Sequence, residues 1–289
     1  MKIKDFYQQK KPVVSFELFP PKKESGIETI YQTLAELKDI QPDFISVTYG
    51  AGGSRQDNRT LEIASLVKNQ YGIEPLHHLT CVVNSEEEIQ QLLTDIRKEN
   101  IENVLALRGD MPAGQEDCQS DFTYAKELIT TVKELTDFSV GAACYPEGHI
   151  DQLASSENIQ HLQEKVDAGA DFFISQLFFD NDSFYRLVDS AQKAQIFTPI
   201  SAGVMPILSR AQVEKMIFMC GTSLPSKLIK LIHKYEHSLV DLRKAGLEYA
   251  LEQIDDLVAH GVAGVHVYAM NRPTVAKSAI QQLRGGVDV

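Results

Sequence analysis

Eight short runs rich in β-branched and aromatic residues, each followed by a longer stretch of helical period, constrain this chain more than any other feature. The expected strands are Val13–Phe19, Phe44–Tyr49, Leu76–Val83, Val104–Arg108, Val140–Tyr145, Phe172–Phe178, Ile200–Val204 and Val265–Met270. Helices are expected at Gly26–Lys38, Asn58–Gln70, Ser85–Glu99, Phe122–Leu135, Glu157–Ala168, Asp182–Ala194 and Arg210–Cys220. A longer helical region, Ser226–His260, must break at least once, at His237-Ser238 or at Lys244-Ala245-Gly246, and Ala276–Leu283 follows the last strand. Strands alternating with helices build a parallel sheet, and eight such units match an α/β (β/α)8 TIM barrel. With 289 residues and no low-complexity linker, residues 1–289 read as a single domain.

Side chains alternate across a strand, so each run splits into a barrel-facing and a helix-facing set. Ser15 and Glu17 alternate with Val14, Phe16 and Leu18; Ser46 and Thr48 with Ile45 and Val47; His78 and Thr80 with His77 and Leu79; His266 and Tyr268 with Val265 and Val267. The polar sets can all face inward. Sites of such barrels lie at the C-terminal strand ends, where Glu17, Thr48, Arg108, Asp110, Tyr145 and Gln176 fall.

Glu17 stands out among Phe16, Leu18 and Phe19. Low dielectric disfavours an ionised carboxylate, so it reads either as a proton donor or as the structural partner of an arginine. The Arg108-Gly109-Asp110 turn could serve as a surface turn or hold a ligand: arginine suits phosphate, and a fixed carboxylate can face a cation. Tyr145 and His149 offer an aromatic face and an imidazole, although a packed tyrosine and a solvated histidine would look the same. Gln176 lies in an apolar run where its amide needs partners. The loop Gly50–Arg55 has neither a Rossmann nor a P-loop pattern.

The formal net charge of -12 argues against an electrostatic grip on nucleic acid or anionic membrane. Cys81, Cys118, Cys144 and Cys220 lack disulfide or zinc spacing, and His233 and His237 read as helix surface, so no metal is expected. The Lys-rich Met1–Pro12 has no apolar leader core, and no run of about 18 apolar residues follows. A cytoplasmic protein with small-molecule partners is expected.

Taken in order, Ser15–Lys22, Ser46–Ala51, His78–Cys81, Ala106–Asp110, Tyr145–His149, Lys165–Asp171, Ser175–Asp180 and Val267–Arg272 closely resemble the bacterial type of the methylenetetrahydrofolate reductase family. The resemblance runs essentially end to end. It implies an FAD-containing barrel that reduces 5,10-methylenetetrahydrofolate to 5-methyltetrahydrofolate with NADH or NADPH, by ping-pong hydride transfer through FAD. It further implies a role in methionine synthesis, a homo-oligomer, and a catalytic barrel without the S-adenosylmethionine-binding regulatory domain of eukaryotic relatives.

By the same resemblance, Glu17 is the general acid, Asp110 acts on flavin and pterin, and Gln176 binds pterin or nicotinamide. Thr48, His78, Arg108, Gly109, Asp110, Tyr124, Ala125, Tyr145, His149, Asn158, His161 and Lys165 are its FAD contacts; Glu17, Thr48, Gln176, Tyr268 and Arg272 its substrate contacts. Two positions depart from the pattern. Asn158 stands where many relatives have an Asp, and Arg210 occupies a region where some present a stacking Phe. A lyase or aldolase on this fold would need a lysine at a strand end, whereas Lys165 falls in a helix. A folate-binding methyl-transfer barrel or a non-catalytic flavin-binding protein would share the fold without requiring Glu17 together with a redox ring.

Overall fold

The computed structural model describes residues 1–9, 11–21, 27–49, 59–82, 84–110, 120–150 and 155–284. Its eight strands are β1 (Val13–Leu18), β2 (Phe44–Val47), β3 (Glu74–Thr80), β4 (Asn103–Leu107), β5 (Ser139–Cys144), β6 (Phe172–Ser175), β7 (Ile200–Val204) and β8 (Gly264–Val267). All neighbours pair in parallel and β8 closes onto β1, giving the expected barrel. Around it run α1 (Ile27–Lys38), α2 (Arg59–Ser65), α3 (Glu86–Lys98), α4 (Ala125–Leu135), α5 (Ser155–Asp167), α6 (Asn181–Lys193), α7 (Arg210–Cys220), α8 (Ser226–Lys234), α9 (Leu239–Ala259) and α10 (Pro273–Arg284). The expected Gly26, Gly50–Arg55, Asn58, Val83 and Cys118 lie outside the described residues.

The outward sets of the strands, among them Val14, Phe16, Leu18, Ile45, Val47 and Val265, form one core with the apolar faces of the helices. In α3 that face is Ile89, Leu93 and Ile96, and Ser85 and Glu88 close a capping box that starts the helix. Each buried Leu or Ile contributes roughly 1.5–3 kcal/mol relative to exposure.

Inside the barrel the residues are layered. The lower layer is apolar: Val13, Phe44, Leu76, Leu105, Phe172 and Ile174 pack with Ile3 and Phe6 of an N-terminal 3-10 helix, Ile3–Gln8. Asn103 and Ser139 accept the backbone N–H groups of Ile3 and Lys4 at 2.8 and 3.1 Å, so this helix plugs the floor with its polar groups satisfied. Above lies a polar layer with Ser15, Glu17, Ser46, His78 and His266, all buried.

Several strands end earlier than expected. β1, β2, β6 and β8 stop at Leu18, Val47, Ser175 and Val267. Phe19, Phe178 and Met270 have strand composition but lie outside any strand, and Met270 takes a left-handed φ of 53° that a strand does not accommodate. The helix expected to Gln70 is α-helical only to Ser65 and continues as a π-helical turn, Leu66–Gln70. The break in the long helical region lies between Lys234 and Leu239, where Ser238 caps α9 by accepting from Asp241 N–H; His237 therefore sits in a turn. Gly246 is no break but lies inside α9, where a Cβ would come within 2.1 Å of the Ile207 carbonyl oxygen. Its lack of a side chain serves helix-to-strand-exit contact.

Candidate active site

Glu17 occupies the upper interior of β1, in register with Ser46 of β2, while Ser15 below it is in register with His266 of β8. Only 7% of its surface is exposed. Among the described residues it is locked to no arginine; its charged-group neighbours are two imidazoles, with Oε2 at 3.7 Å from His78 Nε2 and 3.8 Å from His266 Nε2. Both exceed hydrogen-bond length. Burial pushes the His78 imidazole down to about 4, the Glu17 charge opposing this only in part, so His78 is neutral and the contact is no ion pair.

The second imidazole is held from behind. Ser15 Oγ lies 2.8 Å from His266 Nδ1, and the ring meets Tyr268 edge-on at 5.1 Å. The Tyr268 hydroxyl donates to the Ser175 carbonyl at 2.8 Å, and burial raises it well above the ordinary phenol value, helped by the Glu17, Cys220, Cys144 and Tyr145 groups. Tyr268 can approach only because Gly203 has no side chain: a Cβ there would lie 2.9 Å from its ring and 2.3 Å from the Ser175 carbonyl oxygen. Among the described residues, Ser46 Oγ and His78 Nε2 are buried without a hydrogen-bond partner, two polar atoms that a ligand over the barrel mouth could satisfy.

Beside this centre, the ends of β4 and β5, the first turn of α4 and the later turns of α5 surround a cavity of about 580 Å³. Arg108, Tyr124, Ala125, Tyr145, His149, Asn158, His161 and Lys165 line it. The Arg108 guanidinium donates to the Thr123 carbonyl at 3.2 Å. Lys165 Nζ donates to Ala143 O at 2.8 Å and stands 5.6 Å over the Tyr145 ring; burial lowers its pKa. His161 Nδ1 lies 3.3 Å from Glu164, which Lys126 also binds at 3.1 Å. Asn158 Nδ2 donates to Tyr145 O at 2.7 Å. An ionised Asp could not make that bond, which gives the departure at 158 a structural use.

The remaining expected residues lie outside this cavity. Thr48 follows the end of β2 and His78 belongs to β3, and Gly109 turns the β4 exit with φ of 84°, leaving Asp110 exposed at the rim. Gln176 Oε1 accepts from Leu177 N–H at 2.9 Å, and among the described residues its NH2 has no partner and is left for a ligand. Arg272 is exposed beyond β8. Arg210 pairs with Glu214 at 2.7 Å on the exposed first turn of α7. Sequence reasoning missed Asn271: its side chain accepts from Phe19 N–H and donates to Phe19 O, both at 2.9 Å, stitching the exits of β1 and β8. Its one signal is that asparagine tolerates the left-handed φ of 53° found there. Among the described residues no cluster of His, Cys, Asp or Glu is arranged to hold a metal, and no helix is long and apolar enough to cross a membrane.

Residues 2–284 match the family model of methylenetetrahydrofolate reductase. An Arabidopsis thaliana methylenetetrahydrofolate reductase (NADH) 1 is 37% identical over 96% of this chain and 49% of its own length. The 5,10-methylenetetrahydrofolate reductase of Pectobacterium carotovorum is 32% identical over 96% of the chain and 91% of its length; that of Escherichia coli, 32% over 90% and 86%. The chain thus spans about half the length of the plant relatives and most of the bacterial ones. Among solved structures, an uncharacterized Clostridium thermocellum protein that binds two copies of 5-methyl-5,6,7,8-tetrahydrofolic acid superposes with a TM-score of 0.69, covering 97% of this chain and 99% of its own. At 13% identity that likeness speaks to the fold alone.

Proposed function

Because the chain belongs to the methylenetetrahydrofolate reductase family, we propose that it reduces 5,10-methylenetetrahydrofolate to 5-methyltetrahydrofolate with FAD as its resident cofactor. The observation that carries this reading is the rim cavity, since eight of the twelve residues expected to hold FAD line one space beside the buried Glu17. The donor set suits the group. Arg108, Lys165 and the two histidines can meet a diphosphate and ring or hydroxyl acceptors, and Tyr124 and Tyr145 give aromatic faces. FAD, when bound, supplies a hydride relay from NADH or NADPH to the folate in two successive half-reactions.

The chain's own residues do the rest. Glu17 donates a proton to the nitrogen that leaves as the methylene bridge opens, with Ser15 and His266 behind it and neutral His78 beside it. Asp110 faces the cationic iminium so formed and favours it by charge. Gln176 offers its NH2, and Thr48, Tyr268 and Arg272 complete the substrate side. The plant relatives are named as NADH enzymes, so NADH is the first reductant to test. The reaction belongs in the cytoplasm of a cell that makes methionine, carried out by a homo-oligomer.

The test is the absorption spectrum of the purified protein after incubation with FAD. A bound flavin band, bleached by NADH without oxygen and restored by methylenetetrahydrofolate, is expected. A colourless protein that takes up no FAD would overturn the reading.

A further inference from the structure

The loop after β5 and the connection between α7 and α8 are more than 70 residues apart in sequence yet share one carboxylate. Glu147 Oε1 accepts from the Thr222 hydroxyl at 3.0 Å, and its Oε2 accepts from the Ser223 backbone N–H at 3.0 Å. Two bonds to one planar group fix orientation as well as distance. Next to them Gly221 ends α7 in the left-handed conformation, φ 66°, and Ile150 packs within 3.4–3.6 Å of where its Cβ would stand. The loop therefore meets the connection at one polar and one apolar point.

Each side of this contact carries residues of the site. On the loop side, Tyr145 O accepts from Gly148 N–H at 3.2 Å and from Asn158; Tyr145 and His149 meet edge-on at 4.9 Å and both line the cavity. On the other, Cys220 packs in the same apolar cluster as Tyr268 and Met205. Cys220 also lies within electrostatic reach of Asp110 and Tyr145.

We propose that Glu147 is a positioning residue that locks the cofactor-side loop 145–150 to the 220–223 connection, so that the cofactor cavity and the substrate side of the rim take up their working geometry together. It touches neither ligand. It acts through Tyr145 and His149 on one side and through Cys220 and Tyr268 on the other, and the inference rests on the flavoprotein reading above. Because Glu147 is exposed, its bonds add little to global stability. Their effect falls on geometry. Glu147→Gln keeps an oxygen for the Ser223 N–H and presents an NH2 that the Thr222 hydroxyl can accept, whereas Glu147→Ala loses both contacts and Thr222→Val loses one.

The experiment measures the FAD dissociation constant by flavin fluorescence, and the folate KM and kcat of the FAD-saturated enzyme, for wild type, E147A, E147Q, T222V and E147A/T222V. E147A is expected to weaken FAD binding and raise the folate KM by about tenfold each, with kcat within about twofold. E147Q should stay within about threefold of wild type, and T222V should add almost nothing on top of E147A. Wild-type FAD affinity and KM in E147A, or a lowered melting temperature as its sole effect, would overturn the proposal while leaving the flavoprotein reading intact. A wild-type protein that binds no FAD would fell both.

Discussion

The Glu17 carboxylate and the His266 imidazole stand 3.8 Å apart, close enough to sense one another and too far to share a hydrogen bond, while Ser15 holds the far ring nitrogen at 2.8 Å. A carboxyl so placed is buried and has no hydrogen-bond partner among the described residues, so its oxygens are left to meet a ligand. Glu17→Gln keeps the shape and removes the transferable proton. In stopped-flow measurements the variant should retain reduction of bound flavin by NADH and lose folate reduction by a factor of about 10²–10⁴. Equal loss of both half-reactions would make Glu17 structural.

Gly203→Ala should harm the substrate side without touching a ligand. Its Cβ would meet the Ser175 carbonyl oxygen at 2.3 Å and the Tyr268 ring at 2.9 Å, so strand or ring must move. Overpacking of this kind costs about 1–3 kcal/mol, read as a lowered melting temperature. Folate KM should rise more than the FAD dissociation constant.

Gly246→Ala separates propensity from packing. In an exposed helix interior the change would stabilise by about 1 kcal/mol. In α9 the new methyl would lie 2.1 Å from the Ile207 carbonyl oxygen, so chemical denaturation should show a loss instead. A stabilised variant would mean that α9 can move off the β7 exit at little cost.

Acid should destabilise the fold through two buried imidazoles. Burial pushes His77 down to about 3 and His78 to about 4, against 6.5 for the exposed side chain. Below pH 6.5 the unfolded chain therefore binds protons that the folded one refuses. Stability is fully present above that pH and falls by up to about 1.4 kcal/mol per pH unit for each histidine, until the folded values are reached. His77 lies on the opposite strand face from His78, away from Glu17, so His77→Leu should remove its share of the slope without altering folate kinetics. Denaturant midpoints between pH 4 and 8 report this.

The barrel was legible because each strand is a short run buried on both faces, so that β1 through β8 appear as separate apolar islands. Their exits were not, since Phe19 and Met270 have the composition of a strand and differ from one only in lacking a partner. The floor was missed for a related reason: Ile3 and Phe6 are spaced for one helical turn, but polar neighbours in a Lys-rich stretch hide them. Glu17 was visible from its flanking residues alone. Its histidine neighbours were not, because they come from β3 and β8, and only the register of a closed sheet brings them to it. Around the rim cavity, Arg108, Tyr145 and His149 were visible as polar residues at strand ends, whereas Asn158 and Lys165 lie in a helix, carry no local signal and were reached through resemblance.

The Phe19–Asn271 stitch joins positions 252 residues apart. During synthesis the strand that bears Glu17 is made first, yet the residue that ties down its exit emerges with the last βα unit. Glu17 is thus made long before the residue that fixes the exit of its own strand. A nascent chain stopped before β8 would hold every residue of the rim cavity and still lack the stitch that ties down the strand bearing Glu17.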